Sequence, residues 1–313
     1  MTPATQHRLD PTRGNVVDVF SRDHEPALIV EPGDGILVRS LDASGYLAPQ
    51  RFPGEQQERM LPGARGHCLT GPVAVRGAEP GMTLSVRVLS LRPDDWGWTV
   101  AAAADDALHQ RLGVVGGDPS WLLWDLDVDA GTATNDRGFS RGLAPFLGVT
   151  GVAPALPGEH STVPPRTESG GNIDCRELTA GSTLYLPVQV PGALLYVGDG
   201  HAAQGDGEVG GTAIECAMTT ELIVDLVTEP PVPTIHAVTP TARITFGFAA
   251  DLNVATGDAL AAMLTWMQGL YDLDRPAALA LASTCVDLRV TQVANQTWGA
   301  HAMLSHDVLR RAA

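Results

Sequence analysis

Between residues 170 and 216 the chain reads GGNIDCRELTAGSTLYLPVQVPGALLYVGDGHAAQGDGEVGGTAIEC. Asp174, Asp199, His201, Asp206, Glu208 and Glu215 stand there among glycines and between apolar runs. Carboxylates and an imidazole beside backbone-permissive glycines point to a metal or acid–base site on a β scaffold. In ALLYVGDGH, residues Leu195, Val197, Asp199 and His201 fall on one face of a regular strand. The apolar pair then anchors in a core, and the acid and imidazole emerge beside each other, where they could share one cation. Glu215 interrupts the apolar run TAIECAM, where a carboxylate is costly unless paired, protonated or metal-bound. Asp174, just after Gly170-Gly171-Asn172, is the other expected contributor. The local excess of negative charge calls for a cation, and mixed oxygen and nitrogen donors suit zinc and other divalent ions. The plainer reading also stands: glycine-flanked acids cap turns, and a single histidine is often only hydrogen-bonded. Neither HxH nor HExxH occurs, so a cupin reading is weak and a zincin is excluded.

All 20 basic residues are arginine, and no lysine occurs. That removes lysine Schiff bases, P-loop phosphate binding and amidases built on a Ser–Ser–Lys or Cys–Glu–Lys constellation. A formal charge of −16 argues against nucleic acid and against an anionic membrane surface as partners. The cysteines Cys68, Cys175, Cys216 and Cys285 show no CxxC or zinc-ribbon spacing and read as buried reduced thiols. The N-terminal residues lack an apolar signal core, and no stretch has the ~20 apolar residues of a membrane span. A cytoplasmic protein is expected.

The elements that must hold such a site read mainly as strands. With 34 glycines and 23 prolines, short strands and tight turns are favoured over long helices. Residues 1–25 are taken as an N-terminal arm, its first 15 residues polar and loose, and 26–309 as the main domain. Apolar runs flank a turn in ALIVEPGDGILVRS, in VAVRGAEPGMTLSVRVLSLRP and in STLYLPVQVPGALLYVGDG. Residues 94–142 form a variable segment with a short helix in DDALHQRLG and the tryptophans Trp96, Trp98, Trp121 and Trp124, which wall a pocket or fill core. Leu260, Met263, Leu264, Met267 and Leu270 recur at helical spacing, with Thr256 or Asp258 as the expected cap. Asp274 and Pro276 open a second helix, giving a C-terminal helical pair, and two short strands follow.

The block from Gly170 to Glu215 closely resembles the central block of the acetamidase/formamidase family. EPGDGILVRSLDASG, HCLTGPVAVRGAEPGMTLSVRVL, PFLGVTGVAPALPG and CVDLRVTQVANQTWGAHAMLSHDVL agree in the same order, so the resemblance runs from about residue 26 to 309. It implies a β-rich fold, a jelly-roll-like sandwich with barrel elements and a small α/β portion. It implies a homo-oligomer and bound divalent metal, zinc especially. It also implies hydrolysis of a short carboxamide to carboxylate and ammonia. On that basis Asp199, His201, Asp174 and Glu215 are the expected metal residues, and Glu208 is the general base and later the acid. His67 is placed to hold the oxyanion. Asn172 and Gln204 are candidates for amide recognition. Asp42 is a further pocket candidate that competes with a turn cap. Two other readings remain at this stage: a Cys175 or Cys216 nucleophile with His201 as base, and a noncatalytic β-sandwich that binds a ligand.

Overall fold

In the computed structural model, which describes residues 3–101, 105 and 107–309, the apolar runs on either side of each turn enter different sheets. Leu28–Val30 joins an eleven-stranded sheet and Gly35–Ser40 a nine-stranded one. Leu69–Val75 and Thr83–Pro93 divide in the same way, as do Leu195–His201 and Thr183–Pro187. Each turn carries the chain across the gap between the sheets, and the result is a sandwich. Sheets that are apolar on their facing sides bury those faces together.

The nine-stranded sheet runs in the order Gln6–Leu9, Gly35–Ser40, Met218–Val227, Thr83–Pro93, Thr183–Pro187, His236–Val238, Ala242–Ala249, Trp298–Ser305, Val286–Gln292. The eleven-stranded sheet has Ser140–Gly142, Thr132–Asn135, Ser120–Asp127, Trp96–Ala101, Glu215–Cys216, Leu195–His201, Phe146–Val152 and Gly170–Asn172 along its path. Leu69–Val75 attaches to Leu195–His201, with Val16–Val17 and Leu28–Val30 beside it. Leu84, Val86, Leu184 and Val224 from one sheet meet Leu147, Leu195 and Val197 from the other in the main core. The mainly β expectation with a C-terminal helical pair is met.

Helix Leu252–Tyr271 lies against the nine-stranded sheet. Its Met263, Leu264 and Met267 pack with Ala302 and Leu304, and with Ala278 and Ala282 of helix Arg275–Ala282. Asp274 caps the second helix by accepting from Ala277 N, as its position predicts. The first helix is capped by Asp251 rather than by Thr256 or Asp258, which lie inside it. The apolar period begins late, whereas the helix begins where a side chain can satisfy its first amides. The short helix expected in the variable segment spans Ala107–Leu112. The N-terminal stretch is not loose: Gln6–Leu9 adds a parallel edge strand to Gly35–Ser40, and Leu9 is buried. Polar composition hid this, because an edge strand gains its ladder from backbone groups. Trp98 is buried with Tyr46 and Val100, while Trp96, Trp98 and Trp124 wall a cavity of about 220 Å³. Both functions expected of the tryptophans are thus served.

Candidate active site

Strand Leu195–His201 positions the cluster, and a fork in its pairing shapes it. Along one edge, Leu195–Gly198 pairs with Leu69–Val75, whereas Gly200 and His201 pair with Cys216 and Glu215. Asp199 falls where one neighbour gives way to the next. Its backbone is left-handed, with φ 57°. The strand is therefore not regular at this point, yet the two side chains meet, with His201 Nε2 3.5 Å from Asp199 Oδ2. The cross-strand register places Glu215 directly opposite His201, 3.3 Å from the same nitrogen. Glu208 arrives from the following loop at 3.9 Å.

Asp174 comes from the other side, where strand Phe146–Val152 separates the two halves of the site. Register pairs Leu147 with Gly200 and Val149 with Gly198, leaving Gly148 across from Asp199. The Gly148 carbonyl accepts from both Ile173 N (2.9 Å) and Asp174 N (3.2 Å), which pins Asp174 to the same spot. A methyl group on Gly148 would collide with Asp199 Oδ2 and lie 2.7 Å from His201 Cε1 and 2.8 Å from Asp174 Oδ1. Sequence reasoning missed Gly148. Its signal is the absence of a side chain, visible only once three distant donors are seen around it.

The donors form two overlapping groups, Asp174–His201–Glu208 and Asp199–His201–Glu215, with ligand atoms within 4.8 Å of one another in each. All five side chains are buried. Both oxygens of Asp174, one of Asp199, one of Glu215 and both ring nitrogens of His201 lack hydrogen-bond partners. Such atoms are costly in a low-dielectric interior, and a cation satisfies several at once. The donor set, the orphaned atoms and the space kept open at Gly148 all fit a divalent ion.

The electrostatics agree. Burial raises Asp174 and Glu208 well above the ordinary carboxylate range, and neighbouring acids add to the rise. Burial also brings Glu215 up to about 7. Burial opposes charge on His201 as well, but Glu215 and Asp199 outweigh it and hold the ring well above its usual value. Asp199, which burial would raise, is instead held low by His67 and His201. Proton affinity is thus raised at Asp174, His201, Glu208 and Glu215 and lowered at Asp199.

The remaining expected residues sit as follows. His67 lies at the rim, with Nε2 3.9 Å from Asp199 Oδ2, carried there by the strand that leaves the fork. Asn172 is buried two positions before Asp174, its Oδ1 without a partner. Gln204 donates to the Asp174 carbonyl at 2.8 Å and leaves its own carbonyl oxygen free. A cleft of about 330 Å³ beside them is lined by Gln204, Glu208, Ala213, Thr99, Trp124 and Arg141. Asp42 takes turn-cap geometry, accepting from Ser44 N at 2.8 Å and Tyr46 N at 3.4 Å, and belongs to neither donor group. Asp206 turns away from the cluster toward Arg289 (3.7 Å) and Arg176 (3.8 Å). Burial raises the thiols of Cys175 and Cys216 well above their ordinary value, which disfavours a thiolate nucleophile.

The chain belongs to the acetamidase/formamidase family, a family of amide hydrolases whose pattern matches residues 8–160 and 157–296. The crystal structure of an acetamidase from Bacillus halodurans superposes with a TM-score of 0.85 at 28% identity, covering 95% of this chain and 97% of that one. The acetamidase of Mycolicibacterium smegmatis is 31% identical over 218 residues, 51% of this chain and 53% of its own length. The formamidase of Methylophilus methylotrophus is 28% identical over 246 residues, 63% of this chain and 60% of its own. Among the described residues no helix is long and apolar enough to cross a membrane.

Proposed function

We propose that this protein hydrolyses a short-chain carboxamide, of the formamide or acetamide class, to the carboxylate and ammonia at the cluster around His201. The observation that carries the reading is the pair of buried donor groups sharing His201 beside a small cleft. Asp199, His201, Asp174 and Glu215 would hold a divalent cation. The imidazole favours zinc over magnesium or calcium. When bound, the ion supplies positive charge that polarises a carbonyl oxygen and makes water more acidic.

The chain's own groups do the rest. Glu208 borders the cleft and removes a proton from the attacking water as the C–O bond forms. The same carboxyl then hands that proton to nitrogen as the C–N bond breaks and ammonia leaves. His67 at the rim is within reach of charge developing on the carbonyl oxygen. Asn172 and Gln204 offer unpaired carbonyl oxygens to the amide NH₂. A homo-oligomer and a cytoplasmic location complete the proposal.

Ammonia release from formamide, acetamide and propionamide tests this, using protein as isolated, after chelation and after zinc is restored, with metal content measured in parallel. Activity and zinc should fall and return together. Full activity in rigorously metal-free protein removes the cation, and no ammonia from any of the three amides removes the short-chain amidase.

A further inference from the structure

A second donor group lies on the far side of Asp174, and the hydrolytic site does not use it. Cys175, Glu177 and His301 present ligand atoms within 4.8 Å of one another. Glu177 Oε2 is 3.3 Å from Cys175 Sγ and 3.6 Å from His301 Nε2. A tetrahedral zinc with ordinary metal–sulfur, metal–nitrogen and metal–oxygen bonds sets ligand atoms roughly 3.3–3.6 Å apart. We propose that Cys175, Glu177 and His301 form a separate cation site that takes a zinc-class ion through one thiolate, one carboxylate and one imidazole.

The surroundings are those of a built site. His301 is 1% exposed, and its Nε2 has no hydrogen-bond partner although it faces Glu177. Its other nitrogen, Nδ1, is 2.9 Å from the Thr291 hydroxyl. When Nδ1–H donates to that hydroxyl, the lone pair sits on Nε2 and points at the site, the usual outer contact of a metal-bound histidine. Glu177 is oriented in the same way. Arg289 donates to its Oε1 at 3.0 Å, and Arg176 approaches the same oxygen at 4.0 Å, which leaves Oε2 to face the sulfur and the imidazole. The two arginines are in turn shared with Asp206, which offsets part of their charge outside the donor set. On binding, a sulfur–metal bond forms, the thiol proton leaves to solvent, and no redox partner is needed.

The site joins two parts of the fold. Cys175 and Glu177 belong to the loop that follows Asp174, while His301 lies in strand Trp298–Ser305 of the nine-stranded sheet. An ion here ties the loop carrying one acid of the hydrolytic cluster to the opposite sheet. The inference stands independently of which reaction that cluster performs.

Cobalt(II) tests it, because a thiolate ligand gives cobalt a charge-transfer band in the near ultraviolet and the cluster around His201 has no sulfur donor. Metal-free protein, kept reduced, is titrated with cobalt chloride. The expected result is a thiolate band that saturates and is displaced by zinc. Cys175→Ser and His301→Gln should abolish it or weaken cobalt binding at least tenfold. Cys216→Ser and Asp199→Asn should leave it intact, the latter separating this site from the first. No thiolate band in the unmodified protein at excess cobalt overturns the proposal, whatever the variants do. A band that survives Cys175→Ser, or is lost in Cys216→Ser, overturns it as well.

Discussion

The substitution Gly148→Ala puts the geometry of the cluster to its hardest test, because it adds one methyl and removes no chemical group. The new carbon would strike Asp199 Oδ2 and stand 2.7 Å from His201 Cε1 and 2.8 Å from Asp174 Oδ1, where ordinary contact begins at 3.4 Å. His201 and Asp174 must therefore retreat by about 0.6–0.7 Å and Asp199 by more, and they have little room to do so, being buried and set on kinked or tightly paired backbone. Overpacking of this kind costs about 1–3 kcal/mol of stability. Displacing reacting groups by roughly 1 Å costs on the order of 100-fold in rate. The expected variant is folded, has a lower unfolding midpoint, and releases ammonia from acetamide or formamide at about 1% of the normal rate or less. Its zinc content after dialysis against a fixed free-zinc buffer should fall with the rate. A variant that is folded and within about threefold of normal activity would show that the space beside Gly148 is not where the chemistry occurs, since that methyl must occupy it.

Glu208→Gln keeps the size of the side chain and deletes proton transfer, so kcat should fall about 10²- to 10⁴-fold with the fold intact by circular dichroism; a change of less than threefold reassigns the base. His236 gives a pH effect away from the cluster. It stacks on Tyr185 at 4.6 Å, donates from Nδ1 to the Thr234 carbonyl, and burial pushes it down to about 4. Below its unfolded value of about 6.5 the unfolded chain takes up a proton that the folded protein refuses until about pH 4, so stability is lost as pH falls through that window. By pH 5 the loss is about 2 kcal/mol. Urea midpoints at pH 7 and pH 5 should therefore diverge more in the unmodified protein than in His236→Gln, and equal divergence would mean that His236 is charged in the folded state.

How much of this could be read in the chain depended on the range over which each signal acts. The pairing of Asp199 with His201 was expected from the spacing of two in a regular strand, and the side chains do meet, although the backbone at Asp199 is left-handed. Glu215 was legible because a carboxylate in an apolar run is anomalous wherever it folds. Asp206 repeats the spacing of two with Glu208 in QGDGE, and the structure separates them by burying Glu208 and pairing the exposed Asp206 with Arg176 and Arg289. Gly148 and the group formed by Cys175, Glu177 and His301 were illegible for one shared reason. Their partners are joined by sheet register and by crossings between sheets, and no spacing along the chain encodes them. The same limit applies to the turns, whose residues announce a reversal without saying whether the next strand stays in its sheet.

The left-handed backbone at Asp174, Asp199 and Glu208 links the fold to the chemistry. Asp199 lies inside a strand, whereas Asp174 and Glu208 lie in segments outside the strands, and all three converge on one imidazole. At each of them the left-handed residue redirects the chain locally. Aspartate enters that region at modest cost because its short carboxylate can bond locally, but glutamate gains no such help, and strain of this kind is on the order of 1–3 kcal/mol per residue. To that is added the burial of four carboxylates around one ring. Little of either cost is recovered within the cluster, since both oxygens of Asp174 and one each of Asp199 and Glu215 lack hydrogen-bond partners. The sandwich core and the long ladders on both sides must carry it. The placement of Asp199 at the fork between two neighbouring strands follows: at that junction an irregular backbone forfeits the fewest ladder hydrogen bonds.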